Sequence, residues 1–291
     1  MLKYTLLLLC SFLIISCQNN SKSEKKAKEE STKIFTGEVE KLATEFSFTE
    51  GPAADSVGNV YFTDIPNNKI LNRKKEEKLD TFQSKSGGAN GLYFDKYDNL
   101  LVCEGGNGRV AVYQKNKEYE VIASKYKGKR FNQPNDLWPD QKGGIYFTDP
   151  KYAQDPDLPQ GGEHVYYIQP DSSVVRVTDD LKKPNGIIGT PDGKILYITD
   201  TELDKTFQYK IKSNGTLSDK KLLIDRDSDG MTLDKNENLY LTTMSNNQVE
   251  VYSSKGQKSH QLRCPRNHLM FVLAVNKITS SSLRQELLST G

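Results

Sequence analysis

The sequence is poor in cysteine, histidine and tryptophan, and these shortages exclude several kinds of site. Its 291 residues include four Cys, three His and one Trp. Two cysteines lie in the first seventeen residues, and Cys103 is the only thiol between them and the C-terminal segment, so no disulfide framework is available. His260 and His268 lie in that C-terminal segment, and His164, in "GGEHVYY", is expected at a strand edge. A Ser-His-Asp triad is therefore not credible.

An excess of charge of one sign and helical periodicity are also absent. The formal net charge is +2, and no basic stripe interleaved with aromatics indicates a nucleic-acid partner. Beyond the first seventeen residues, apolar positions show almost no helical period. Fifteen Tyr together with many Gly, Asn and Asp favour strands and tight turns, so we predict an all-β fold.

The first seventeen residues, "MLKYTLLLLCSFLIISC", are typical of a targeting segment. Lys3 gives a positive start, and the apolar stretch after it is short for a bilayer span. "IISC" resembles a bacterial lipobox and predicts lipidation of Cys17, with an ordinary secretory signal or a short membrane anchor as the alternative. Residues 18–33 are strongly polar and predict a flexible tether. We expect a monomeric exported lipoprotein on the periplasmic face or outer membrane, which contacts the membrane only through its lipid.

Five later segments repeat one pattern. Each opens with a polar residue followed by Gly or Asp, continues through an apolar strand, turns at an Asp with Gly or Asn, and ends in a second strand. They are "EGPAADSVGNVYFTD" from Glu50, "NGLYFDKYDNLLVCE" from Asn90, "NDLWPDQKGGIYFTD" from Asn135, "NGIIGTPDGKILYITD" from Asn185 and "DGMTLDKNENLYLTT" from Asp229. Equivalent positions of the second strand lie 40 to 51 residues apart.

This period, with several short strands per unit, is typical of β-propeller blades. Segments such as "RVAVYQ" and "TFQYKI" would supply the outer strands of each blade. A β-sandwich or a β-helix is the alternative, but neither accounts for the constant register of the hairpin. We therefore predict a propeller domain over residues 34–256.

The opening residues of the five segments are the candidate site. In a propeller the innermost strands line a central channel, so equivalent residues form a ring around it. That ring consists of Glu50, Asn90, Asn135, Asn185 and Asp229. Carboxylate and amide oxygens suit Ca²⁺ or Mg²⁺, with Mn²⁺ as a further choice. The alternative is that these side chains only cap turns, but two carboxylates converging on one axis favour a bound cation.

The same segments resemble the senescence marker protein/gluconolactonase/regucalcin-like family. The matching stretches are "FTEGPAAD", "RFNQPNDL", "GGIYFTDPKY", "KPNGIIGTPDGKILYITDT" and "SDGMTLDKNENLYLTT", and together they extend from Phe48 to about Tyr252. The resemblance implies a six-bladed propeller with one divalent metal in its channel. It also implies hydrolysis of a sugar lactone.

Carried over by motif, the resemblance implies that Glu50, Asn185 and Asp229 bind the metal. It places Asn135 at the metal-bound water or substrate, and we expect Asn90 at the pocket wall. The metal would polarise the lactone carbonyl, and Asp229 is the candidate base that takes the proton of the attacking water. Calcium is the expected ion, with Mg²⁺, Mn²⁺ or Zn²⁺ as alternatives. A second hypothesis is a non-enzymatic propeller, stabilised by a metal, that binds a carbohydrate or a protein.

The C-terminal segment 257–291 does not continue the repeat. A sixth hairpin should begin roughly 40–50 residues after Asp229, where the sequence instead contains "MFVLAV" and a Ser-rich run. When codons are read in another frame from Gln261, synonymous choices permit "IEVPEKPSNVCFGGKQNNKLFITART", which has the blade pattern. We therefore interpret 257–291 as an aberrant, frame-shifted remnant of the last blade. A genuine divergent C-terminus, with "MFVLAV" as a buried strand, is the alternative.

We predict that resequencing the locus reveals an insertion or deletion between the codons for Gly256 and Gln261. Losing the last inner hairpin leaves sheet edges open, so the chain as given is expected to fold poorly or to be inactive. An in-frame read of the present C-terminus contradicts the first expectation. A cooperative melting transition with full activity contradicts the second.

Overall fold

The computed structural model describes residues 40–74, 79–116, 118–154, 157–243, 248–263 and 286–288. Within these ranges every regular element is a strand, which confirms the all-β prediction. All the described strands belong to the unit of the chain that extends from residue 37 to residue 291. Cys17 and the tether predicted at 18–33 lie outside the described residues. No helix in the described ranges is long and apolar enough to cross a membrane.

The strands form five four-stranded antiparallel sheets, here called blades 1 to 5, and two short two-stranded sheets. In chain order the strands are β1 Glu40–Ala43; in blade 1 β2 Thr49–Ala54, β3 Val60–Asp64, β4 Lys69–Arg73 and β5 Leu79–Gln83; in blade 2 β6 Ala89–Phe94, β7 Leu100–Glu104, β8 Arg109–Tyr113 and β9 Tyr119–Ala123; then β10 Lys125–Tyr126 and β11 Lys129–Arg130; in blade 3 β12 Leu137–Pro139, β13 Ile145–Asp149, β14 His164–Ile168 and β15 Val174–Thr178; in blade 4 β16 Pro184–Gly189, β17 Ile195–Asp200, β18 Lys205–Ile211 and β19 Leu217–Ile224; in blade 5 β20 Met231–Leu233, β21 Leu239–Thr243, β22 Gln248–Tyr252 and β23 Lys258–Arg263; and last β24 Glu286–Leu288.

The blades are arranged as a propeller. In each blade the strands pair in chain order, and the first strand contacts the first strand of the next blade. Apolar side chains fill the space between successive blades; between blades 2 and 3, for example, the rings of Phe131 and Phe147 meet edge to face with centroids 4.9 Å apart. The described residues contain five blades rather than the predicted six. Most of the segment from which the sixth was expected, from residue 264 onward, lies outside them.

Two strands bear on the C-terminal segment. β23 lies inside the stretch 257–291 that was assigned to the last blade, but it pairs with β22, with Val251 opposite His260. It therefore completes blade 5, because β22 needs a partner on its outer edge, and the boundary drawn at residue 256 was one strand too early. β24 pairs in parallel with β1, with Glu40 opposite Glu286.

A Thr-Asp pair at the end of the second strand positions the start of the repeat in blades 1, 3 and 4. In blade 3 the Asp149 carboxylate accepts hydrogen bonds from the backbone N–H groups of Asn132 and Gln133, both at 2.9 Å. Asp64 and Asp200 accept equivalent bonds in blades 1 and 4. The backbone N–H groups that these carboxylates bind lie in the loops just before the ring residues Glu50, Asn135 and Asn185. The carboxylates therefore fix the position at which each loop enters the first strand of its blade.

The threonine of the pair joins its blade to the next one. The hydroxyl groups donate to backbone carbonyl oxygens near the next ring position: Thr63 to Asn90 at 3.1 Å, Thr148 to Asn185 at 2.8 Å, and Thr199 to Ser228 at 2.7 Å. Blade 2 has Cys103 at this position. There the N–H of Gly91 donates instead to the Asn135 carbonyl oxygen at 2.7 Å.

Replacing Asp149 with Ala is expected to lower the free energy of unfolding by about 2–4 kcal/mol, because two buried N–H groups lose their acceptor. Asp149→Asn retains one acceptor oxygen and should lose about half as much. Asp171→Ala is the matched control, since exposed Asp171 also accepts a backbone N–H, from Ser173. Its urea midpoint should stay close to that of the wild type, because surface substitutions change stability little. Urea unfolding followed by tyrosine fluorescence measures all three; equal losses for Asp149→Ala and Asp171→Ala contradict the argument.

Candidate functional site

The five predicted ring residues line one cavity at the centre of the propeller. This cavity has a volume of about 510 Å³, and its lining includes Glu50, Asn90, Asn135, Asn185 and Asp229. A smaller cavity of about 90 Å³ shares four of these residues, all except Asn185. The structure therefore brings together the residues that the repeat placed in register. His164 lines neither cavity; it begins β14, and its Nε2 lies 3.2 Å from a guanidinium nitrogen of Arg176.

The local backbone explains why a glycine follows most ring residues. The β2–β3 ladder is interrupted between Glu50 and Ala53, and Gly51 has a φ of +51°. A Cβ at Gly51 would lie 2.1 Å from the backbone oxygen of Asn90, and one at Gly91 would lie 2.5 Å from that of Asn135. Only glycine permits this approach, so neighbouring inner strands lie close enough for their side chains to converge.

Two carboxyl groups and one amide interact at this site. The Glu50 and Asp229 carboxyl groups are close enough for the charge of Asp229 to raise the pKa of Glu50. The Nδ2 group of Asn185 donates to Asp229 Oδ1 at 2.8 Å and to the Tyr152 hydroxyl oxygen at 2.7 Å. The Oδ1 of Asn185 is buried and has no hydrogen-bond partner among the described residues. A buried oxygen left in this state needs an external donor or a cation.

Burial and mutual repulsion raise the pKa values of the acids on the axis. Burial raises the pKa of Glu50 well above its usual value, and the Asp229 charge raises it further. The pKa of Asp229 is also raised by burial. Burial raises the pKa of Asp136 to about 7, although the N–H groups of Ile187 and Leu137 oppose this shift. The described residues lining the two cavities include no Lys, Arg or His, so the charges must be balanced by protons or an added cation.

The residues fit a divalent cation. Two carboxylates and an amide oxygen are hard ligands of the kind that Ca²⁺ and Mg²⁺ prefer, and the unpaired Asn185 Oδ1 faces no competing donor among the described residues. The described ranges contain no cluster of three or more Asp, Glu, His or Cys side chains suited to a metal. Here the third oxygen comes from an amide instead. Asn90 and Asn135 lie on the cavity wall. Their role in substrate binding stays a prediction.

Three residues in or beside the site were missed by the sequence analysis. Tyr152 follows "YFTDPK" and lies at the cavity wall with its hydroxyl on Asn185. Thr201 also lines the cavity and lies 3.0 Å from the Tyr152 hydroxyl. Asp136 directly follows a ring residue and was not singled out. The only sequence signal for Tyr152 is its place in "FTDPKY". The residues that its hydroxyl contacts, Asn185 and Thr201, belong to blade 4, so the motif alone does not reveal its role.

In EDTA, the stability of the protein is expected to fall as the pH rises from about 5 to 8. The folded-state pKa values of Glu50 and Asp229 are raised, so the stabilising proton is bound at low pH and lost as the pH passes through those values. Asp229→Asn removes one of the two charges and should reduce this loss. A saturating divalent cation should reduce it in the wild type.

Thermal melts between pH 5 and pH 8, with EDTA or with Ca²⁺, measure this dependence. The control is Asp225→Asn, because Asp225 is exposed and pairs with Lys205 at the surface. Asp136 and Asp149, whose pKa values are also raised, leave a remaining pH dependence in every variant. A wild type whose stability in EDTA is constant or rises over this range contradicts the argument.

Comparison with known proteins agrees with this geometry. The curated gluconolactonase of Zymomonas mobilis subsp. mobilis is 28% identical over 235 residues, which cover 69% of this chain and 66% of that protein. Lactonase drp35 of Staphylococcus epidermidis is 26% identical over 231 residues, covering 74% and 69%. The chain thus spans about two thirds of the length of the curated relatives it matches.

A solved gluconolactonase structure from Xanthomonas campestris superposes with a TM-score of 0.71 at 26% identity, covering 76% of this chain and 77% of that chain. Residues 48–277 match the family described as "SMP-30/Gluconolactonase/LRE-like region". That range contains all five ring residues and all five blades. The resemblance noted in the sequence is therefore confirmed, and the chain belongs to the SMP-30/gluconolactonase/LRE-like family.

Proposed function

We propose that this protein is a divalent-metal-dependent hydrolase of a sugar lactone. The observation that carries the proposal is the buried trio of Glu50, Asn185 and Asp229, with its unpaired amide oxygen at the wall of a central cavity. The named activities of the Zymomonas and Staphylococcus relatives support a lactone as the substrate. The expected product is the open-chain hydroxy acid.

In this proposal Glu50, Asn185 and Asp229 hold the cation. When bound, the cation would act as a Lewis acid on the lactone carbonyl and would lower the pKa of water in the site. Calcium is the ion that we propose, and Mg²⁺, which prefers the same oxygen ligands, is the alternative. Glu50 is almost completely buried, with 8% of its surface exposed, and this suits a fixed ligand.

Asp229 is proposed as the general base. Its Oδ1 accepts the Asn185 amide, which fixes the carboxylate and orients its Oδ2. Burial raises its pKa, and a carboxylate with a raised pKa accepts a proton more readily. It takes a proton from the water that attacks the carbonyl carbon. The ring C–O bond then breaks, and the leaving oxygen takes up that proton.

Asn135 and Asn90 are proposed to orient the lactone. Both side chains lie at the wall of the larger cavity, and Asn135 is buried with 5% exposure. Their amides can donate to and accept from sugar hydroxyl groups, which gives a polar floor to the site. Exposed Phe48 and half-buried Ile65 add apolar surface to the same cavity.

We further propose that the complete fold has six blades and that the protein is exported and lipidated at Cys17. The repeat spacing beyond Asp229 supports a sixth blade, and "IISC" supports lipidation. In that arrangement the tether 18–33 would separate the propeller from the membrane surface.

The test is hydrolysis of δ-gluconolactone with and without EDTA, followed by pH-indicator absorbance. It uses the full chain and, because that chain is expected to fold poorly, also the full chain with its C-terminal segment from Gln261 read in the shifted frame. We expect EDTA to abolish turnover and Ca²⁺ to restore it. Asp229→Asn should lower kcat by about 10²–10⁴-fold, since it removes the base. Asn135→Ala should mainly raise KM, and the surface control Asp225→Asn should match the wild type. A folded protein that hydrolyses none of several sugar lactones, or hydrolyses them equally well in EDTA, contradicts the proposal.

A further inference from the structure

We propose that Tyr152 and Thr201 are positioning residues that hold the Asn185 amide in the orientation in which its Oδ1 can bind a divalent cation. The inference rests on the proposed function and concerns the same site. It assigns a role to two residues of the cavity wall that the repeat pattern does not include. Neither belongs to the ring, and both act through Asn185.

Three hydroxyl and carbonyl groups form a directed chain. The Asn185 Nδ2 group donates to the Tyr152 hydroxyl oxygen at 2.7 Å, and that hydroxyl lies 3.0 Å from Thr201 Oγ1. Thr201 Oγ1 donates in turn to the backbone oxygen of Lys183 at 3.3 Å. A hydroxyl has one hydrogen, so Thr201 must accept from Tyr152. The Tyr152 hydroxyl therefore donates its hydrogen to Thr201 and can only accept a hydrogen bond from Asn185.

The second hydrogen of the Asn185 amide goes to Asp229 Oδ1, at 2.8 Å. The Tyr152 hydroxyl and Asp229 Oδ1 thus both accept hydrogen bonds from Asn185 Nδ2. Rotating the amide by half a turn would set its oxygen against the Tyr152 lone pairs and the Asp229 carboxylate. That arrangement loses two hydrogen bonds and adds repulsion, so the observed orientation is fixed. The consequence is that the buried Oδ1 of Asn185 has no hydrogen-bond partner in the part of the chain that the structure describes.

Tyr152 is itself held in place from two sides. Gln133 Oε1 accepts the backbone N–H of Tyr152 at 2.6 Å and that of Ala153 at 2.9 Å. The ammonium group of Lys183 lies 5.3 Å from the centre of the Tyr152 ring. The side chain is 47% exposed, so these contacts, rather than burial in the core, determine where the hydroxyl lies. Removing the hydroxyl should therefore disturb the amide without unfolding blade 3.

The test compares Ca²⁺ affinity, by isothermal titration calorimetry, with melting temperature in EDTA. Tyr152→Phe keeps the ring and removes the acceptor, and it should weaken Ca²⁺ binding by about 10–100-fold, as is usual for partners of metal ligands. Thr201→Val should weaken binding less, and Thr201→Ser should restore it. Tyr97→Phe, at an exposed turn of blade 2, is the matched control and should bind as the wild type does. Melting of the EDTA-treated proteins should stay close to the wild type throughout.

A double-mutant cycle isolates orientation from other effects. Asn185→Asp supplies two chemically equivalent oxygens, so its binding no longer depends on which way the group is turned. Adding Tyr152→Phe to Asn185→Asp should then change Ca²⁺ affinity by less than about threefold. Equal losses in both backgrounds, or a Tyr152→Phe affinity within twofold of the wild type, overturn the inference while leaving the proposed function intact. A wild type that binds no divalent cation overturns the proposed function and this inference with it.

Discussion

The structure depends on the Thr-Asp pair that ends the second strand of three blades. Its carboxylate holds the loop that enters the same blade, and its hydroxyl holds the first strand of the next blade. Both contacts act within a few residues of a ring position. Side chains that converge on an axis are sensitive to small rotations of the blades, and this pair removes much of that freedom. Blade 2, with Cys103 in place of Thr, relies on a backbone hydrogen bond between strands instead.

The centre of the propeller contains two buried carboxyl groups, which destabilise the fold when no cation is bound to them. Glu50 and Asp229 are buried and interact electrostatically, and the described residues lining the cavities provide no cationic side chain. Burying two carboxyl groups so close together destabilises the fold unless one is protonated or a cation lies between them. The unpaired Asn185 oxygen adds to the imbalance. The groups that destabilise the fold when no cation is bound are the same groups through which a hard cation would stabilise it.

The parts of the site that the sequence predicted are those written into the repeat. Glu50, Asn90, Asn135, Asn185 and Asp229 were found because equivalent positions in a propeller must surround one axis, whatever the details of packing. Tyr152 and Thr201 could not be found in this way. They lie 33 residues before and 16 residues after Asn185, in loops outside the hairpin pattern, and only the folded chain brings their hydroxyl groups together. The boundary at residue 256 was misplaced for a related reason: β23 has exposed, mostly polar positions that carry little pattern.

The separation of the two carboxyl residues along the chain has a kinetic consequence. Glu50 belongs to the first blade and Asp229 to the fifth, whereas most strand pairs join neighbours in sequence. Local hairpins close quickly, and contacts across long stretches of chain close slowly. During synthesis, the first four blades can therefore pair their strands well before Glu50 meets its partner. The central site would therefore be assembled after these four blades, and any ion it binds would hold the first blade and the start of the fifth together.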